Sequence, residues 1–300
     1  MELIQKIDIH AHVSPFAHLS PENPFEKKTF PSSDELISMY DSLGIEYGVL
    51  HPLVSPEGLY FTMTNEATKV EADKHPDRFF WFCNVDPRSM TNSSASDLSY
   101  LLEHYVRLGA RGFGELTSNL YIDDPKMDNL FSHCEEMGLP VLFHISTGPG
   151  ISYGMIDDRG LPRLEQALKK HPRLIFIGHS QPFWAEMSPD YPDEKRNDYP
   201  TGKVTSDGAI VRLLRSYDNL YCDLSGNSGR NALMRDPEYA VSFLNEFQDR
   251  ILYGCDICAV TNRHPYLLRD FLDDLCMRGE ISETVYRKIG RENAVRILKL

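Results

Sequence analysis

The sequence predicts an α/β fold, a single (β/α)8 TIM barrel spanning residues 1–300. Three observations carry this reading. Short apolar runs recur along the whole chain, and a helix-length segment separates each run from the next. The side chains able to do chemistry fall near the C-terminal ends of those runs, the end where barrel enzymes keep their active sites.

The first four runs are Lys6–His12, Tyr47–Leu53, Phe79–Val85 and Ala110–Leu116. The last four are Pro140–Ser146, Leu174–Ser180, Leu220–Ser225 and Ile251–Ile257. Each is short and rich in β-branched or aromatic residues, as strands of a parallel sheet are.

The segments between them read as helices. Ser32-Ser33-Asp34-Glu35 offers a capping box to a periodic stretch that stops at Gly44. Asp97–Leu108 and Met127–Met137 run up to Gly109 and Gly138, residues suited to a C-terminal stop. Leu161–Lys170, Asp207–Tyr217, Pro237–Gln248 and Pro265–Arg278 fill the later gaps, and Glu283–Ile289 and Glu292–Leu298 are short helices expected to cap the barrel. An open, doubly wound sheet is the rival fold, but it does not call for eight evenly spaced units. Two connections are too long for a bare helix, Val13–Pro31 after the first strand and Gln181–Ser206 after the sixth. Long loops in compact domains are usually functional, so both are expected to be lids or pocket walls, the second offering Trp184 or Tyr199. His18, in the first loop, has no assigned role.

Composition fits a globular chain, 41% hydrophobic and 25% charged, with no apolar run of the ~18 residues a membrane span needs. Gln5, Lys6 and Asp8 interrupt any secretory pattern, which makes the cytoplasm the expected location. The six cysteines show no disulfide framework, and the CxxC at Cys255 and Cys258 straddles a strand and lacks a second pair. A net charge of -13, from 31 basic and 44 acidic side chains, argues against nucleic-acid and anionic-membrane partners. A small-molecule substrate is expected, and a homo-oligomer is compatible.

His10 and His12 lie two apart on the first strand and so share a face, with Asp8 expected deeper on the same face. Glu115, His144, His179 and Asp256 sit at or near the ends of the fourth, fifth, sixth and eighth strands. A lone histidine on an apolar strand is usually a core residue. Six metal-competent groups at one mouth form the imidazole and carboxylate set of catalytic zinc, a set that manganese or nickel also suits. On the substrate side the candidates are His51, Trp184, Arg230 and Arg263, the two arginines placed where a guanidinium could clamp a carboxylate. Lys203 is a weaker candidate of the same kind, and Asp223 is expected to support the barrel interior or the ligands themselves.

Asp8-Ile9-His10-Ala11-His12, followed by His144, His179 and Asp256, resembles the amidohydrolase superfamily. The closing segment Gly290–Leu298 is similar to the C-terminal helix of its amidohydrolase-related (amidohydrolase 2) branch, and the likeness covers essentially the whole chain. That branch holds hydrolases as well as decarboxylases and hydratases. The resemblance implies that His10, His12 and Asp256 bind a divalent metal, with His144 on the same ion or a second. It implies that His179 is a second-metal ligand or polarises substrate, and that Asp256 is also the general base on an activated water. Gly112-Phe113-Gly114-Glu115-Leu116 looks like the version of the family in which a glutamate bridges two ions, as in TatD-like nucleases. One or two ions per chain are therefore expected, zinc first. The implied activity is metal-dependent hydrolysis of a small C–N or C–O bond. The alternative is metal-dependent decarboxylation or hydration of an unsaturated or aromatic acid.

Overall fold

The computed structural model describes residues 4–16, 19–22, 27–58 and 62–300. His18 lies outside them. The strands are β1 (Lys6–Ala11), β2 (Ile45–Leu50), β3 (Phe79–Trp81), β4 (Phe113–Leu116), β5 (Val141–Ser146), β6 (Met155–Ile156), β7 (Phe176–His179), β8 (Leu220–Asp223) and β9 (Ile251–Leu252). All the pairings between them are parallel, in the order β1-β2-β3 and β4-β5-β7-β8-β9, with β6 attached to β5. A parallel bridge between Cys83 and Phe113 joins the end of β3 to β4. Ile9 N donates to Tyr253 O and Asp256 N to His10 O, linking β1 to the strand end that carries Asp256. The eight expected strands are thus present as a TIM barrel, and the small β6 is an addition that the sequence reading did not anticipate.

Helices fill the connections as expected, often a residue or two shorter. Ser32 caps helix Ser33–Leu43 in a capping box with Glu35, and Gly44 ends it at φ +69°, where a side chain would be strained. Three helices were not foreseen, the short Gln181–Ala185 in the connection read as a loop and two longer ones. Asn65–Lys74 is polar along most of its length, and Gly226–Met234 opens on Gly-Asn-Ser-Gly, so neither shows the apolar period that marks a helix in sequence.

The interior of the barrel is filled by Ile7, Ile9, Val49, Phe82, Leu142, Ile177 and Leu252. Ala294, Ile297 and Leu298 of helix Asn293–Leu298 pack into the same cluster, so the C-terminal helix plugs this end of the barrel. Asn293 fixes the plug by donating from Nδ2 to Gln248 O and Ile251 O. A larger cluster between the strands and the surrounding helices contains Ala11, Val13, Phe143, Cys222 and Cys255.

These two clusters reveal a change of face in β1. Ile7 and Ile9 point inward, but so do His10 and His12, because Ala11 and Val13 pack outward. The alternation breaks where the β1–β2 register shifts, between Asp8 and Ala11. Asp8 is therefore on the outer face, a correction to its expected place beside His10. It accepts from Tyr40 OH at 2.6 Å, Cys255 N at 2.8 Å and His10 N at 2.9 Å, clamping β1 to its neighbours.

Candidate metal centre

Six groups converge at the C-terminal ends of the barrel strands. His10 and His12 come from β1, Glu115 from β4, His144 from β5 and His179 from β7, while Asp256 lies four residues beyond β9. His10 Nε2 and His12 Nε2 face each other at 3.0 Å. Glu115 Oε2 lies 3.6 and 3.4 Å from the same two nitrogens, and Asp256 Oδ1 lies 3.9 and 3.8 Å from them. Ligand bonds of about 2.0–2.2 Å around a tetrahedral ion put donor atoms roughly 3.3–3.6 Å apart. The His10, His12 and Glu115 atoms, 3.0–3.6 Å apart, come near that spacing, and Asp256 stands slightly further out at 3.8–3.9 Å.

What lies behind the rings decides which nitrogens face inward. His10 Nδ1 donates to Asp223 Oδ2 at 2.8 Å, and His12 Nδ1 donates to His51 O at 3.1 Å. His179 Nδ1 lies 3.2 Å from Asp223 Oδ2 and 3.0 Å from Ser225 Oγ, whose own proton goes to Asp223 at 2.5 Å. Each of these rings thus has its Nδ1 engaged and its Nε2 turned to the centre, which is how metal-binding histidines are held. Glu115 belongs to two groups of converging donors, one with His10 and His12, the other with His144 and His179. A third grouping, His10, His179 and Asp223, consists of the hydrogen bonds just described. His144 differs, because its buried Nδ1 has no hydrogen-bond partner among the described residues.

The electrostatics also fit a cation. Burial opposes ionisation of Glu115 and Asp256, yet the surrounding histidines, His10 foremost, hold both carboxyls well below the usual range. Burial likewise opposes charge on His179, but hydrogen bonds to Asp223 and Asp256 outweigh it and raise the ring to about 9. His144 is lowered to about 4, by burial and then by the charge of His179, against the opposing pull of Glu115. Two buried carboxylates, Glu115 and Asp223, meet the partly exposed Asp256 here, and protonated rings balance them where no cation does.

A cavity of about 100 Å³ opens onto this centre, bordered by His12, Glu115, Asp256, Thr117, Tyr153 and Phe30 among others. Ser20, Pro21, Lys28 and Thr29 from the connection after β1 complete its wall. The segment 181–206 contributes nothing to that lining, contrary to expectation. Arg196 ties it down by donating to Asp157 O and lying 3.0 Å from Glu186.

The substrate-side candidates fare unevenly. Trp184 is 2% exposed and sits in the outer core, its indole N–H donating to Asp223 O at 3.1 Å, so it cannot wall the cavity. His51 is also buried: Nε2 donates to Ile9 O, the ring packs on Phe82, and its carbonyl holds His12. It does not border the cavity, and its carbonyl fixes the orientation of the His12 ring. Arg263 is exposed at the start of helix His264–Met277 and does not border the cavity. Arg230 does not border it either, though its Nε is buried without a hydrogen-bond partner among the described residues. Lys203 pairs with Glu238 on the surface at 3.2 Å. Ser225 and Tyr153 were missed. Ser225 follows Asp223 by two residues, a spacing that puts both on one face and could have been read; Tyr153 lies in a loop that no periodicity marks.

A TIM barrel whose strand ends gather histidines and carboxylates in this order defines a metal-dependent α/β-barrel protein of the amidohydrolase type. A family model described as "Amidohydrolase" matches residues 7–300, and the chain belongs to that family. No curated protein matches the sequence. Among solved structures, an amidohydrolase from Burkholderia multivorans with bound zinc is similar at a TM-score of 0.66 and 12% identity, covering 99% of each chain. The 5-carboxyvanillate decarboxylase of Sphingomonas paucimobilis reaches 0.64 at 17% identity, again covering 99% of each. A probable 2-pyrone-4,6-dicarboxylic acid hydrolase from Acinetobacter baumannii, with citric acid bound, reaches 0.62 at 15% identity, covering 99% of this chain and 100% of its own. At such identities the likeness concerns the fold. No helix among the described residues is long and apolar enough to cross a membrane.

Proposed function

We propose that the protein is a metal-dependent hydrolase that opens a C–N or C–O bond of a small molecule, an amide, lactone or ester-like group. The observation that carries this is the position of Glu115. Its Oε2 lies within 3.6 Å of both His10 Nε2 and His12 Nε2, and the same carboxylate belongs to the donor group of His144 and His179. A carboxylate so placed would be shared between two ions if both were bound, and such a pair would supply an activated water. We assign His10, His12, Glu115, His144, His179 and Asp256 as ligands, zinc as the ion expected first, and one or two ions per chain. The bound zinc of the Burkholderia protein supports that choice of metal.

A divalent ion in this shell would lower the pKa of a water toward ~7. The protein side of the reaction belongs to Asp256 and His179. Asp256 borders the cavity and stays ionised, so its carboxylate takes the proton of the attacking water and returns it to the leaving group. His179 Nε2, 3.6 Å from Asp256 Oδ2, faces the same space: with two ions bound it would be a ligand, and with one ion it would instead polarise the substrate oxygen. Asp223 and Ser225 hold His10 and His179 in orientation while this happens.

One observation favours a second reading, a metal-dependent decarboxylase. The Lys28 side chain borders the cavity without a partner among the described residues, a cation to which a substrate carboxylate could bind. Zinc- and manganese-loaded protein offered 2-pyrone-4,6-dicarboxylate and 5-carboxyvanillate separates the two. Ring opening of the pyrone is the expected result. Carbon dioxide release from 5-carboxyvanillate, with the pyrone untouched, would move the assignment to the lyase.

A further inference from the structure

The chain after β5 turns back over the barrel mouth at Gly154. This residue has φ +108°, and a Cβ there would come within 2.7 Å of His144 Nδ1 and of the His144 carbonyl oxygen, so only glycine allows the approach. Gly154 N donates to Thr117 O at 2.8 Å, and its carbonyl accepts from Asn119 Nδ2 at 3.0 Å. The backbone beside Tyr153 is therefore held to the loop after β4. The Tyr153 ring lies over His144, centroids 4.3 Å apart and planes tilted by 42°, and it borders the cavity together with Glu115 and Asp256.

Its hydroxyl has no hydrogen-bond partner among the described residues. The buried phenols of Tyr40 and Tyr286 are engaged, donating to Asp8 and Asp273, whereas Tyr153 is only half-buried. A tyrosine fixed at its backbone, packed on one face and left with an unused O–H over a cavity has a donor reserved for a ligand.

We propose that Tyr153 is a catalytic residue whose hydroxyl donates a hydrogen bond to the substrate oxygen that gains negative charge, the oxygen of a carbonyl under attack or of a bound carboxylate. The proposal rests on the metal-centre reading above, since it places the phenol on the cavity that the ligand cluster borders. No proton is transferred; the O–H stays on Tyr153 and strengthens its bond as charge develops on the acceptor. Burial and the charges of Glu115 and Asp256 keep the hydroxyl protonated, as a donor must be.

The test uses zinc-loaded protein and phenylphosphonate, a tetrahedral oxyanion with an aromatic body, with zinc content measured for wild type, Tyr153→Phe and Tyr153→Ala. By calorimetry, Tyr153→Phe should keep the wild-type zinc content and bind the phosphonate roughly tenfold or more weakly, the loss expected for a hydrogen bond to a charged group. Tyr153→Ala should lose affinity at least as far. Equal binding by wild type and Tyr153→Phe overturns the proposal, as does a loss of zinc in Tyr153→Phe that accounts for the weaker binding. Wild-type protein that does not bind the probe also overturns it. Binding that is indifferent to zinc in wild type, yet weakened by Tyr153→Phe, retains the Tyr153 contact and removes the metal-centre reading instead.

Discussion

Asp223 holds the His10 ring by a 2.8 Å hydrogen bond from Nδ1 to Oδ2, and this contact decides which nitrogen of His10 looks into the barrel mouth. The same oxygen lies 3.2 Å from His179 Nδ1, so one buried carboxylate orients histidines from two strands. Ser225 completes the arrangement from two residues further along the chain.

Removing that carboxylate's charge should therefore weaken metal binding without touching a ligand. Asp223→Asn is expected to lower zinc affinity about 10–100-fold, the usual cost of losing a partner behind a metal-bound histidine. Competition against a chromophoric chelator measures it. An unchanged affinity would mean that the barrel packing alone orients His10 and His179.

Metal uptake should depend on pH with a definite sign. A ligating imidazole must be neutral, and His179 without metal holds its proton up to about 9, because Asp223 and Asp256 outweigh the effect of burial. His10 is raised in the same direction against its own burial, by Asp256 first and then Glu115. Below pH 9 the ion competes with bound protons. Apparent zinc affinity is expected to rise from pH 6 to 9, about tenfold per unit for each proton displaced, and then to level off. Calorimetry in buffers of different ionisation enthalpy counts the protons released; release of none would contradict the assignment of His179 as a ligand.

The convergence of the candidate ligands was legible because a strand of a parallel barrel sends its last inward residues to one mouth. His144 and His179 follow that rule: Leu142 and Ile177, two residues earlier, point into the interior cluster. The rule misplaced Asp8, since strict alternation took no account of the irregularity between Asp8 and Ala11. Loop residues were the other blind spot. Trp184 looked like a pocket wall from its place in a long connection, yet it packs in the core, because the helix Gln181–Ala185 forms at once after β7 and carries the indole back against the sheet. Lys28, Phe30 and Tyr153 reach the cavity through loop conformations that no pattern in the sequence encodes.

Lys6 offers a test of the fold apart from the site. Its ammonium, 2% exposed, lies 3.2 Å from Asp273 Oδ1, which also accepts from Tyr286 OH. Burial lowers the Lys6 pKa and Asp273 pulls it back up. Asp273→Ala leaves the lysine buried and unpaired, and the expected loss is about 3–5 kcal/mol of unfolding free energy. Replacing both partners by apolar residues, Lys6→Met with Asp273→Leu, should restore most of it. Urea unfolding of the two variants checks the pair, and zinc content should stay at the wild-type level in the double variant.

The last prediction separates the number of ions from the proton transfer. Glu115 and Asp256 are both carboxylates at the mouth, but their surroundings differ. Glu115 is 4% exposed and reaches two groups of histidines, whereas the Asp256 side chain is 20% exposed to the cavity. The first is placed to join ions and the second to meet water. Glu115→Gln is expected to lower bound zinc toward one equivalent per chain and to reduce hydrolysis sharply. Asp256→Asn should retain most of the zinc, because His10, His12 and Glu115 remain, while hydrolysis falls by the ~10²–10⁴-fold typical of losing a general base. Elemental analysis of wild type and both variants, set beside their rates on the hydrolysed substrate, decides the matter. A wild-type protein with one zinc per chain, unchanged in Glu115→Gln, would remove the two-ion mechanism and favour the single-metal decarboxylase reading.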